Sequence, residues 1–156
     1  MNPTGAARPR VNAKALDQHE SSMFPSEHDV EEFRALFGSE SVLHRIPLSH
    51  LGCDGLQAAA MITPASTKAE TLENAWTLVR SVARWVLPQA ADHPTVGRFE
   101  IIVGWSQSVR KMQGQIFKTG GDQDTVRAIA ASENWSQYPS ALRHRWEKDV
   151  FGARVV

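Results

Sequence analysis

Residues 67–87, TKAETLENAWTLVRSVARWVL, followed by 96–105, VGRFEIIVGW, decide the fold. In the first stretch Leu72, Ala75, Trp76, Val79, Val82, Ala83 and Val86 recur at steps of three and four, the spacing of one helix face. Glu70, Glu73, Asn74, Thr77, Arg80, Ser81 and Arg84 fall on the other side. Thr67 and Glu70 read as a capping box, and Pro88 reads as a stop near Leu87. In the second stretch Phe99, Ile101, Val103 and Trp105 alternate with Arg98, Glu100 and Ile102, the period of a strand with one apolar face. A helix of about five turns that is apolar on one side has to be covered, and the strand beside it offers the cover.

Upstream, Val42, His44, Ile46 and Leu48 alternate with Leu43, Arg45 and Pro47, which predicts a half-buried strand with Pro47 at an edge. Gly52, Asp54 and Gly55 break the chain before Leu56, Ala58, Ala60 and Ile62 resume the alternation, so a hairpin is expected, although the alanine run also fits a helical turn. Before it, Ser26 caps a short helix over 27–37 with Val30, Phe33, Leu36 and Phe37 on one stripe, and Gly38 ends it.

Downstream, Ser106-Gln107-Ser108 is a turn into a strand over 109–118, with Met112 and Ile116 on one face, Val109 and Phe117 on the other and Gly114 at a bulge. Gly120-Gly121 closes it. Asp122 or Asp124 starts a helix carrying Val126, Ile129 and Ala130, and Pro139 starts a last helix carrying Leu142, Trp146 and Val150. The order α-β-β-α-β-β-α-α predicts an α+β fold, a two-layer sandwich in which a small antiparallel sheet is covered by helices. Residues 1–25 hold few large apolar residues and read as a disordered N-terminal arm, leaving 26–156 as one domain.

The 156-residue chain is 42% hydrophobic and 22% charged, an ordinary composition for one globular domain. No apolar run approaches the ~18 residues of a membrane span, and Met1–Arg10 lacks the apolar core of a secretory signal. A cytoplasmic location is expected, with any export by a non-Sec route. The single Cys53 provides neither an internal disulfide nor a zinc quartet. The formal net charge of zero conceals a gradient: residues 1–75 carry 6 Lys+Arg against 10 Asp+Glu and residues 76–156 carry 11 against 7, so the halves stand at −4 and +4. That split suits contact with another macromolecule, while balanced total charge argues against a dedicated nucleic-acid binder.

No constellation reads as a catalytic, cofactor or metal site. His44, His50, Cys53 and Asp54 cluster within eleven residues, but in none of the usual zinc frameworks, and a hairpin turn with a small buried Cys and a surface His explains them. The pairs Glu31/Glu32 and Asp122/Asp124 sit at helix starts, where capping and the helix dipole account for carboxylates. Gly120-Gly121 is not followed by a P-loop Lys-Ser/Thr. The candidate interaction residues are Arg80, Arg84, Arg110, Lys111 and Trp135, the last standing with Trp85 outside the apolar stripes. Basic residues interleaved with tryptophan fit either a protein interface or a single-stranded nucleic acid. Leu43, Ile102 and Trp135 are left as uncovered apolar residues, consistent with a dimer seam or with scattered surface positions, and the oligomeric state stays open.

The segment Ser26-Glu27-His28-Asp29-Val30-Glu31-Glu32-Phe33-Arg34-Ala35-Leu36-Phe37 resembles segments near the start of secreted components of bacterial type III secretion systems. The long helix to Leu87, Phe99-Glu100-Ile101-Ile102-Val103, a turn, Gln115-Ile116-Phe117 and a helical ending are similar in order to the C-terminal switch domain of the needle-length and substrate-specificity proteins, the HpaP/YscP group. The resemblance spans residues 26–150. It implies a ball-shaped α+β domain that contacts the export gate and changes which substrates leave, by binding rather than catalysis. An arm of 25 residues reaches about 85 Å at ~3.4 Å per residue, short for a length ruler. The leucine-rich ending of the group is replaced by Trp135, Tyr138 and Trp146. The implied role is therefore a non-enzymatic accessory controlling export or substrate switching, with other proteins as partners. The alternative is a small nucleic-acid-binding or regulatory domain that uses the basic second half.

Overall fold

The computed structural model describes residues 23–108, 111–137 and 143–152. Helix α1 (Glu27–Phe37) leads into strand β1 (Val42–Leu48), a single 3-10 turn (Ser49–Leu51) and strand β2 (Cys53–Ile62). Helix α2 (Lys68–Ala91) follows, then β3 (Val96–Trp105), β4 (Gly114–Gly121), α3 (Gln123–Ala131), a second 3-10 turn (Trp135–Gln137) and α4 (Arg143–Phe151). The α+β order is the one the periodicities predict.

The sheet has the order β1-β2-β3-β4. The two expected hairpins, β1–β2 and β3–β4, are antiparallel, but β2 and β3 pair in parallel, so the sheet is mixed rather than antiparallel throughout. Lengths explain the correction. The 24 residues of α2 rise about 36 Å at ~1.5 Å each, and the 10 residues of β2 or of β3 span about 33 Å at ~3.3 Å each. The helix thus returns the chain to the end where β2 began, and β3 starts in the same direction.

One face of the sheet meets the helices. Leu43, Leu56, Ala58, Ala60, Phe99, Ile101, Val103, Trp105 and Phe117 share a single buried cluster with Phe33, the α2 stripe from Leu72 to Ala90, Val126, Ile129 and Trp146. On β1 the inward residue is Leu43, 4% exposed and paired with Ala58, while Val42 is 38% exposed. The expected apolar face of β1 is therefore reversed: β2's Leu56, Ala58 and Ala60 set the inward side, and the antiparallel register puts Leu43 and Arg45 with them. Leu43 and Ile102, expected to be uncovered, are both buried.

Local chemistry fixes the element ends. Ser26 caps α1 reciprocally with Asp29, whose N–H donates to the Ser26 hydroxyl at 3.1 Å while its carboxylate accepts from the Ser26 N–H at 2.8 Å. Thr67 accepts from the Glu70 N–H at 3.1 Å and starts α2. Pro88 does not end α2, which runs to Ala91. The proline lies exposed in the last turn, where one missing N–H costs little, and buried Val86 and Ala90 hold the helix against the sheet on either side of it. Strand β4 begins at Gly114 rather than 109 and ends at the expected Gly120-Gly121, which form its last two residues. Gly120 is required there: its φ is +152°, and a Cβ would land on the Phe99 carbonyl oxygen of the paired strand. Asp122 caps α3, as one of its two expected starts. Val109, Arg110, Pro139 and Leu142 lie outside the described residues.

The boundary between arm and domain also moves. Phe24, assigned by composition to the arm, is 1% exposed in the core. Its ring lies 6.1 Å from Trp85 and 5.6 Å from His93, and Phe33 lies 5.3 Å from Trp85. Burying a phenylalanine contributes about 1.5–3 kcal/mol, and the hydrogen bond that the Phe24 carbonyl accepts from Arg45 Nη1 at 3.2 Å about 1.5–3 kcal/mol. Ordering the backbone of residues 23–25 costs about 1–2 kcal/mol each, so the two sides nearly cancel.

Candidate functional site

The second face of the sheet has no described helix over it. By strand alternation it carries one row of Val42, Ala59, Ile102 and Lys118 across the four strands, and beside it a row of His44, Gln57, Glu100 and Gly120. Met61, Gly104 and Gln115 form a third row at the end, where the room left by Gly104 is filled by the Met112 thioether. Ile102 is 7% exposed but does not belong to the core cluster that the helices share with the sheet. Glu100 pairs with both of its polar neighbours. Gln57 Nε2 donates to Glu100 Oε1 at 2.6 Å, and Lys118 Nζ lies 3.7 Å from Glu100 Oε2, so Glu100 ties β2 to β4. The result is an apolar strip of Val42, Ala59, Met61 and Ile102 bordered by polar residues, of which Gln57, Glu100 and Lys118 are tied together while Gln115 Oε1 is buried without a hydrogen-bond partner among the described residues. An apolar centre with a polar edge is the layout of a protein contact surface.

The residues singled out from sequence do not gather into one patch. Arg80 and Arg84 lie one turn apart on α2, in the helix layer, whereas Lys118 points to the open face of the sheet. Arg80 is half-buried and its Nε has no hydrogen-bond partner among the described residues, while Arg84 is exposed. Lys111 is exposed in the β3–β4 connection. Trp135, expected to be free, is half-buried with its ring 6.3 Å from Phe117, and Phe117 is itself 5.2 Å from Trp76. Trp85, the other tryptophan expected to be free, packs between Phe24 and Phe33. Arg110 lies outside the described residues.

The remaining candidates find local roles. Asp54 receives the Arg45 Nε–H at 2.6 Å. His50 is exposed on the 3-10 turn, and Cys53 is half-buried in a shallow cleft of about 290 Å³ with Pro47, Leu48, Ser49, Gly52, Asp54 and Thr95. No group of three His, Cys, Asp or Glu placed to hold a metal ion occurs among the described residues. Asp122 accepts from the Thr125 N–H at 2.9 Å and from its hydroxyl at 2.8 Å, and these bonds hold its carboxyl below the usual aspartate range. Asp124 pairs with Arg127 at 2.7 Å. Glu31 and Glu32 are exposed on α1. No described helix is long and apolar enough to cross a membrane.

Two groupings escaped the sequence reading. The open-face strip needed the register of all four strands, although Ile102 had already stood out as an apolar residue on a polar side. The ring cluster around Phe24 brings together residues 24, 33, 85 and 93, and no local pattern links them. No protein-family model, no curated protein and no solved structure matches the chain.

Proposed function

We propose that this chain is a non-enzymatic protein-interaction component, an accessory of type III secretion that controls export or substrate switching, and that it contacts its partner through the open face of the sheet. The observation that carries the reading is the strip of Val42, Ala59, Met61 and Ile102, which no described helix covers. The assignment to secretion is supported by the likeness in element order over residues 26–150 and by the acidic amphipathic helix α1. The partner in this reading is a component of the export gate. A nucleic-acid role has less behind it, because Arg80 and Arg84 stand in the helix layer and Lys118 on the opposite face, where it already pairs with Glu100.

The test is co-purification of the full chain with export-gate components, together with secretion of a reporter fused to residues 1–25. Val42→Asp with Met61→Asp is expected to abolish co-purification while circular dichroism stays unchanged, since Val42 is 38% exposed. If the wild-type chain captures no gate component and the reporter stays inside the cell, the proposal is wrong.

A further inference from the structure

Phe24 is fully buried, yet it belongs to no helix or strand. Its ring is held by Trp85 and His93, and its carbonyl accepts a hydrogen bond from Arg45 Nη1 at 3.2 Å. The same guanidinium donates from Nε to Asp54 at 2.6 Å and from Nη2 to Thr95 Oγ1. Arg45 thus joins β1, β2 and the α2–β3 connection around one backbone carbonyl of the N-terminal segment. Trp85 and His93 are half-buried, so each keeps an edge in contact with solvent beside the Phe24 ring. Asp54 and Thr95 also line the shallow cleft that runs on past Pro47, Leu48 and Cys53. A ring-sized pocket, a carbonyl clamp and a continuing cleft are the parts of a site for a short peptide.

We propose that this is a peptide-binding site that the chain fills with its own Phe24, and that a partner segment presenting an aromatic side chain and a backbone carbonyl displaces it. Two features make the plug exchangeable. One side chain and one hydrogen bond are set against the ordering of three residues, and the clamp reads a carbonyl, which every peptide offers. The body of the domain keeps its core when the plug leaves, because Phe33 still packs on Trp85 at 5.3 Å. This inference does not depend on the secretion reading, since its test uses the purified protein alone.

The experiment is calorimetric titration of a synthetic peptide of residues 20–27, ESSMFPSE, into the full chain carrying Phe24→Ala. Binding at least tenfold tighter than to the wild-type chain is expected, because the wild-type site is occupied from within. Replacing the peptide's phenylalanine by alanine is expected to abolish binding, and adding Arg45→Ala to the protein is expected to weaken it at least tenfold. A folded Phe24→Ala protein that binds the peptide no better than wild type overturns the proposal. Should that variant fail to fold, Phe24→Leu takes its place with the same two outcomes.

Discussion

Ile101 and Ile102 are neighbours in the chain and opposites in the fold. Ile101, 1% exposed, lies under α2 among Ala58, Val103 and Phe117, whereas Ile102, 7% exposed, lies on the side that no described helix covers. Nearly equal burial is reached inside the helix-covered cluster in one case and outside it in the other. The comparison teaches that exposure alone does not tell a core residue from a contact residue. What separates them is whether water can reach the site once the side chain is cut back.

The same substitution at both positions separates the two kinds of burial. Ile101→Thr buries an unpartnered hydroxyl and opens a void, and is expected to cost about 2–4 kcal/mol. Ile102→Thr is expected to cost under about 1 kcal/mol, since its hydroxyl finds water. Urea denaturation of both variants measures the difference, and equal losses would mean that the second face is closed. Next in size is Gly120→Ala, which sets a methyl against the Phe99 carbonyl at a φ that alanine avoids. A loss of about 1–3 kcal/mol is expected, with the β3–β4 amides exchanging faster than those of β1–β2.

Thr67→Ala removes the cap of α2, the helix that makes the core face what it is, and is expected to lower stability by about 1 kcal/mol without altering the open face. The smallest effect concerns Asp122. Its carboxyl titrates below the usual aspartate value because Thr125 donates two hydrogen bonds to the charged form. A depressed native pKa means that its stabilisation is fully present above the unfolded-state value and disappears as pH falls through the native one. Asp122→Asn is therefore expected to be slightly less stable than wild type at neutral pH and equal to it once the pH lies below the native pKa. Thermal melts across that range check the sign.

Much of the core face was legible in the sequence because alternation and helical spacing are local signals. Phe99, Ile101, Val103 and Trp105 on β3, and Leu72 to Val86 on α2, are buried where the periods place them. The face of β1 was not legible, since Val42, Ile46 and Leu48 outnumber Leu43 by count and only the pairing Leu43↔Ala58 decides the side. Pro88 misled because a stop rule applies inside a helix and not in its last turn, where packing of Ala90 prevails. Phe24 was hidden because one aromatic in a polar stretch has no periodicity, and its partners Trp85 and His93 lie about sixty and seventy residues away by position in the chain. Of the candidate residues, Arg80 and Arg84 stand one turn apart on α2 as their spacing requires, Arg84 exposed and Arg80 half-buried, and their relation to Lys118 depends on the whole sheet.

The parallel seam between β2 and β3 has a kinetic consequence. Each hairpin closes over a short loop and forms on a timescale of about 1–10 μs. The seam pairs Leu56 with Phe99 and Ile62 with Trp105, across the whole of α2, and it has to wait until that helix has been laid down and docked. Until then the chain is two independent hairpins with their apolar faces bare, and the inner edges of β2 and β3 are open to pairing with another molecule. The rate at which α2 docks therefore sets how long a newly made chain is vulnerable to aggregation.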